Sequence, residues 1–108
     1  MVSTNNAIEE GQQLPDYELV LIISPEVAEE DIEATVDKVS RFITEKGGTI
    51  SDIERWGKRR LAYPIKRFTD GRYFLAKFNM GPAFGKELEA SLRISEEVLR
   101  HLLIKTKS

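Results

Sequence analysis

The hydrophobic pattern of this chain switches between the period of a strand and the period of a helix, and the order of the switches restricts the fold more than any other feature. Tyr17-Glu18-Leu19-Val20-Leu21-Ile22-Ile23 is a nearly unbroken apolar run rich in β-branched residues, which suits a central strand covered on at least one face. Ser24-Pro25 stops that strand, because proline cannot donate to a central ladder, and opens a helix, because its fixed φ suits a first helical turn. Glu26, Glu29, Glu30 and Asp31 then lie where the positive end of the helix dipole favours anions. Ile32, Val36, Val39 and Ile43 follow at spacings of four, three and four, one apolar stripe of a helix running to about Lys46 with Phe42 beside it. Gly47-Gly48 supplies the positive φ of a C-terminal cap.

A second strand is expected from about Thr49 toward Arg60. Its apolar residues Ile50, Ile53 and Trp56 do not share one parity, so the alternation is broken, and Gly57 marks a bulge or bend there. Leu61, Tyr63 and Ile65 alternate again before Thr69-Asp70-Gly71, which carries the residues of a hairpin turn. From Arg72 to Met80 the alternation is clean: Phe74, Ala76, Phe78 and Met80 face one side, Tyr73, Leu75, Lys77 and Asn79 the other. Gly81-Pro82 breaks the chain. A second helix is predicted from about Ala83 to Ser95, with Phe84, Leu88 and Leu92 inward, and a last strand from Val98 to Lys105.

The order is therefore β-α-β-β-α-β. Short right-handed crossovers turn it into an α+β, ferredoxin-like split βαβ fold, with two helices on one face of a four-stranded antiparallel sheet and the other face open to a partner. Residues 14–108 make the single domain; residues 1–13 are polar and aperiodic and are expected to form a disordered extension. A core of two helix stripes and one sheet face predicts an isolated monomer that needs neither metal nor cofactor.

Charge divides the chain unevenly. The net value of −2 is poor for a general nucleic-acid binder, which needs clustered positive charge. Yet the first 40 residues hold ten acids against Lys38 alone, while Glu54 to Lys77 holds eight bases against two acids. Such a pole fits an anionic partner or, equally well on charge alone, a solvated charged loop.

Several function classes are disfavoured. No apolar run approaches the roughly 20 residues of a membrane span, and Met1 to Gln13 lacks the basic start and apolar stretch of a secretory signal, so a cytoplasmic location is expected. Without cysteine there is no thiolate nucleophile and no Cys-based zinc site, and His101 is the only histidine. It lies in an alternating strand, where a packing or surface role suits it better than catalysis. Acyl-phosphate hydrolases of this topology need an anion-cradling loop after the first strand. Ser24-Pro25-Glu26 has no glycine and adjoins acids, so it would repel phosphate. Glu29-Glu30-Asp31 is helix N-terminal charge, since neighbouring helical carboxylates diverge and cannot converge on a hard cation. An RNA-recognition module would carry several aromatics on its open face, and Tyr73 alone is a thin platform.

The informative stretch is Gly57-Lys58-Arg59-Arg60-Leu61-Ala62-Tyr63-Pro64-Ile65-Lys66, a cationic arm that Leu61 and Ile65 can root to the sheet while its bases reach phosphates. Here the chain resembles the bacterial small-subunit ribosomal protein S-six family, from Asp16 to about Lys107. The Gly-x-Arg-x-Leu-Ala-Tyr-x-Ile-Lys signature is complete, Tyr17-Glu18 opens the first strand as in that family, and Leu92-Arg93-Ile94 ends the second helix in the same way. The resemblance implies a structural, non-catalytic ribosomal protein that binds the central domain of small-subunit ribosomal RNA as a heterodimer with ribosomal protein S-eighteen. Carried over residue by residue, it points to Arg59, Arg60, Lys66, Arg93 and Arg100 as RNA contacts. The chain departs from the family at Leu14-Pro15-Asp16, where bases often precede the tyrosine, and at Ser95, where a further base is common. Without the resemblance, a homo-oligomeric regulatory or ligand-binding module of the same fold remains open, and a symmetric oligomer with a small-ligand cleft would be its signature.

Overall fold

The central strand of the fold is β1, Asp16–Ile23, which is hydrogen-bonded on both sides in a computed structural model that describes residues 14–107. The expected N-terminal extension, residues 1–13, lies outside the described residues. After β1 come α1 (Glu29–Glu45), β2 (Thr49–Ile65), β3 (Phe68–Asn79), a 3-10 turn (Pro82–Phe84), α2 (Gly85–Arg93) and β4 (Val98–Lys107). The sheet order is β2-β3-β1-β4 with every neighbouring pair antiparallel. This is the ferredoxin-like α+β sandwich that the periodicity predicts.

Alternation places the core. Tyr17, Leu19, Leu21 and Ile23 of β1 and Phe74, Ala76 and Phe78 of β3, with Met80 just beyond it, are buried against Ile32, Val36, Val39 and Ile43 of α1 and Leu88 and Leu92 of α2. Burying these side chains is the main driving force, at about 1.5–3 kcal/mol for each large residue. Glu29, Glu30 and Asp31 occupy the first turn of α1, and Gly47 follows its end at φ +83°.

Three local expectations are corrected. Pro25 does not enter the helix; Ser24 to Val27 is a turn in which Val27 N donates to the Ser24 carbonyl (3.2 Å) and Glu26 N to Ser24 Oγ (3.2 Å). Proline's fixed φ serves the second position of such a turn as well as it serves a helix start, so local sequence does not separate the two. The hairpin turn is at Lys66-Arg67, not Thr69-Asp70-Gly71, and Lys66 takes φ +57°. Gly71 sits inside β3, buried under Ile22 and Leu61, so this glycine serves close approach and not a turn. The second helix starts at Gly85, two residues later than expected because Pro82–Phe84 winds as a 3-10 turn, and ends at Arg93, two residues before the expected end.

β2 is longer than the strand it pairs with, 17 residues against 12, and its register shifts three times: between Ile50 and Asp52, between Arg55 and Gly57, and between Arg60 and Ile65. The broken parity of Ile50, Ile53 and Trp56 is the sequence trace of the first two, with Gly57 at φ +83° in the second. The third frees Leu61–Pro64 from the ladder, which is where a proline is tolerated. That stretch folds over the open sheet face. Leu61 is buried there and, together with this arm, shelters Ile22 on the face away from the helices.

Candidate nucleic-acid interface

The third break in β2 and the turn after it create the site. Of the eight bases between Glu54 and Lys77, four are engaged by the chain's own acids. Arg55 grips Glu33 of α1 with two hydrogen bonds, Nη2 to Oε1 at 2.7 Å and Nε to Oε2 at 3.2 Å. Arg72 pairs with Glu29 at 3.0 Å, Arg67 with Glu26 at 2.9 Å and Lys77 with Glu54 at 3.5 Å. Half of the basic pole is thus neutralised, two bases by α1, one by the turn before it and one by Glu54 within β2. Lys58, Arg59, Arg60 and Lys66 are exposed and have no carboxylate partner within 4.0 Å among the described residues.

The Arg55 pair also bears on how stability depends on pH. Donation from Arg55 holds the Glu33 carboxyl below the usual carboxylate range, against a smaller opposing effect of burial. A group whose folded value is depressed stabilises the fold above its unfolded value and loses that contribution as pH falls through the folded one. Arg55→Met should therefore narrow the difference between urea midpoints measured near pH 7 and near pH 3. An unchanged difference would mean that the pair contributes nothing to acid stability, as exposed pairs often do.

The five residues expected to meet RNA fall into two groups. Arg59 and Arg60 stand opposite Gly71 and Asp70 on the hairpin, with Lys58 next to them. Lys66 from the turn, Arg93 from the last turn of α2 and Arg100 from β4 line one shallow cleft of about 300 Å³, floored by Leu92, Val98 and Leu99. Arg100 is hydrogen-bonded to the Tyr63 hydroxyl and its guanidinium lies 5.8 Å from that ring. It thereby latches the Leu61–Pro64 arm to β4. Lys58 is exposed in the same run.

Beside the bases is apolar surface. A hollow of about 190 Å³ on the open face is lined by Val20, Ile22, Leu61, Tyr63, Tyr73 and Leu102, among others. Leu102, Ile104 and Tyr63 are exposed, and Ile94, next to Arg93, is 82% exposed. The pairing of Trp56 with Tyr73 is not visible in the sequence. Trp56 stacks on Tyr73 with ring centroids 6.4 Å apart and planes 15° apart, and the Arg59 guanidinium lies 5.3 Å from the Trp56 ring. His101 is largely buried on the helix side, its Nε2 3.9 Å from Glu89 of α2, which is a packing position. No group of three or more His, Cys, Asp or Glu side chains among the described residues could hold a metal, and no described helix is long and apolar enough to cross a membrane.

The sequence profile of the family described as Ribosomal protein S6 matches residues 16–105. The chain belongs to this family. It is 41% identical over 90 residues to the small ribosomal subunit protein bS6 of Caldanaerobacter subterraneus subsp. tengcongensis, covering 83% of this chain and 95% of that one. It is 43% identical over 89 residues to the bS6 protein of Paenarthrobacter aurescens, covering 82% and 88%. The crystal structure of 30S ribosomal protein S6 from Thermotoga maritima superposes with a TM-score of 0.82 at 35% identity, over 87% of this chain and 89% of that one. The C-terminal domain of the MgtC protein from Mycobacterium tuberculosis, at 20% identity and a TM-score of 0.58, shares the fold alone. Membership in the ribosomal protein S6 family makes the chain a structural, non-enzymatic component of the small subunit of the bacterial ribosome, and places it in the cytoplasm.

Proposed function

We propose that this chain binds the central domain of small-subunit ribosomal RNA together with ribosomal protein S-eighteen, as one structural step in subunit assembly. The observation that carries the reading is the sorting of the basic pole. Two carboxylates of α1, Glu26 in the turn before it and Glu54 consume four bases, and those left over are the signature bases Lys58, Arg59, Arg60 and Lys66, joined by Arg93 and Arg100. Arg59, Arg60, Lys66, Arg93 and Arg100 are the residues that would meet phosphate, arginine by paired hydrogen bonds and lysine as a point charge. The apolar open face beside them suits a protein partner, because an exposed patch rimmed by polar residues gains most by being covered.

The net charge of −2 sets the order of events. The acids of the first half repel a polyanion over longer distances, so the isolated chain should bind RNA weakly, and a basic partner on the open face should tighten binding. Filter binding of a central-domain RNA fragment, with and without the partner, measures this at several salt concentrations. Each of the five bases replaced by alanine should reduce the slope of log affinity against log salt by about 0.7–0.9 if it meets a phosphate. Folding should be unchanged within about 0.5 kcal/mol, and so should the slope after Glu30→Ala on the helix face. Equal affinity with and without the partner, or fewer than two bases changing the slope, would return the arm to a purely structural role.

A further inference from the structure

Trp56 is the single tryptophan of the chain, and the core does not use it. It is 39% exposed at the second break of β2, yet it is held in place: Nε1 donates to Glu54 Oε1 at 2.8 Å, and Glu54 is in turn held by Lys77 at 3.5 Å. Tyr73 reaches the same place from the neighbouring strand. Two nearly parallel rings with centroids 6.4 Å apart are offset, not overlaid, so they form a ledge with part of each π face uncovered. Arg59 hangs over it at 5.3 Å on an exposed side chain with no carboxylate partner among the described residues, and Lys58 and Arg60, also exposed, are its neighbours along the strand.

We propose that the Trp56–Tyr73 ledge is a stacking site for an unpaired base of single-stranded RNA, with Arg59 closing on the base and Lys58 and Arg60 adding positive charge from the same strand. The inference rests on the chain's being an RNA binder and adds a base-binding site to the phosphate contacts. An aromatic platform inside a cationic track is the recurring solution for single strands, because every base has a π face and every linkage a negative charge. Bases inside an A-form helix keep their faces covered, so the ledge selects a loop, bulge or end. The charge around it decides against a protein side chain, for which the apolar hollow under Leu61 is the better seat. The Glu54 hydrogen bond pre-orders the indole, which removes part of the entropy cost of binding.

Because Trp56 is alone, its fluorescence reports the ledge directly. The full chain is titrated at about 10 mM salt, where charge acts over about 30 Å, with end-labelled oligomers followed by anisotropy. One is a single-stranded oligoadenylate of about eight nucleotides, the other an abasic oligomer with the same backbone. Oligoadenylate should quench Trp56 emission and bind about 5- to 100-fold more tightly than its abasic counterpart. Trp56→Ala should make the two equal, while Trp56→Phe, which keeps a ring, should retain the preference. Equal binding of both oligomers without quenching would remove the stacking site and leave the phosphate contacts standing. Binding of neither oligomer would overturn the ledge, while the free bases as RNA contacts stand or fall separately by the salt slopes measured with the partner present.

Discussion

Phe78→Ala should lower the unfolding free energy by about 3–5 kcal/mol, the range for deleting a buried phenylalanine side chain. Phe78 is 2% exposed. It lies opposite Tyr17 on β1, with ring centroids 5.7 Å apart, and opposite Ile50 on β2, so its removal opens a cavity where three strands meet. The strands around it are held in register by the ladder and cannot close in on the space. Urea unfolding followed by circular dichroism should show a shifted midpoint with an unchanged slope, because the same surface is exposed on unfolding. Lys77→Ala, one residue away on the open face, should cost no more than about 0.5–1 kcal/mol even though it releases Glu54. A loss below about 1 kcal/mol at Phe78 would contradict its side of the sheet, since a one-residue slip exchanges the two faces.

Gly71→Ala should cost about 1–3 kcal/mol by overpacking. A Cβ on Gly71 would stand 2.4 Å from Cγ2 of Ile22 and 3.6 Å from Cδ2 of Leu61. Both neighbours are buried, so the strand or the arm must give way. The cause can be isolated with a double-mutant cycle. In an Ile22→Ala background the offending methyl is gone, and Gly71→Ala should become nearly neutral although Ile22→Ala is itself destabilising. A cost that persists in both backgrounds would locate the strain in the backbone, as a turn glycine would require. Displacing the arm through Gly71 should also release the Tyr63–Arg100 latch, so the same variant connects core packing to the shape of the candidate interface.

The sequence alone determined the element order, the side of each strand that meets the helices and the two helix stripes. Those patterns are local: Ile32, Val36, Val39 and Ile43 share a helix face, and Phe74, Ala76 and Phe78 share a strand face, whatever else the chain does. It also determined the family, through the uninterrupted run from Gly57 to Lys66. Tertiary structure decided which of two locally equivalent uses a residue serves. Pro25 suits a turn or a helix start, and Gly71 suits a hairpin or a tight approach; the anchoring of Ser24 N–H to the Glu97 carbonyl in one case, and contacts with Ile22 and Leu61 in the other, settled each. The division of the basic pole was likewise invisible in one dimension. Arg55 and Arg59 are both arginines on one strand, but only Arg55 faces α1 and Glu33, while Arg59 faces away beside Trp56. Which charges are spent and which stay free, and whether Trp56 and Tyr73 meet, depends on strand register and on bulges that shift it. Those are set by pairing between residues distant in sequence, and no local pattern records them.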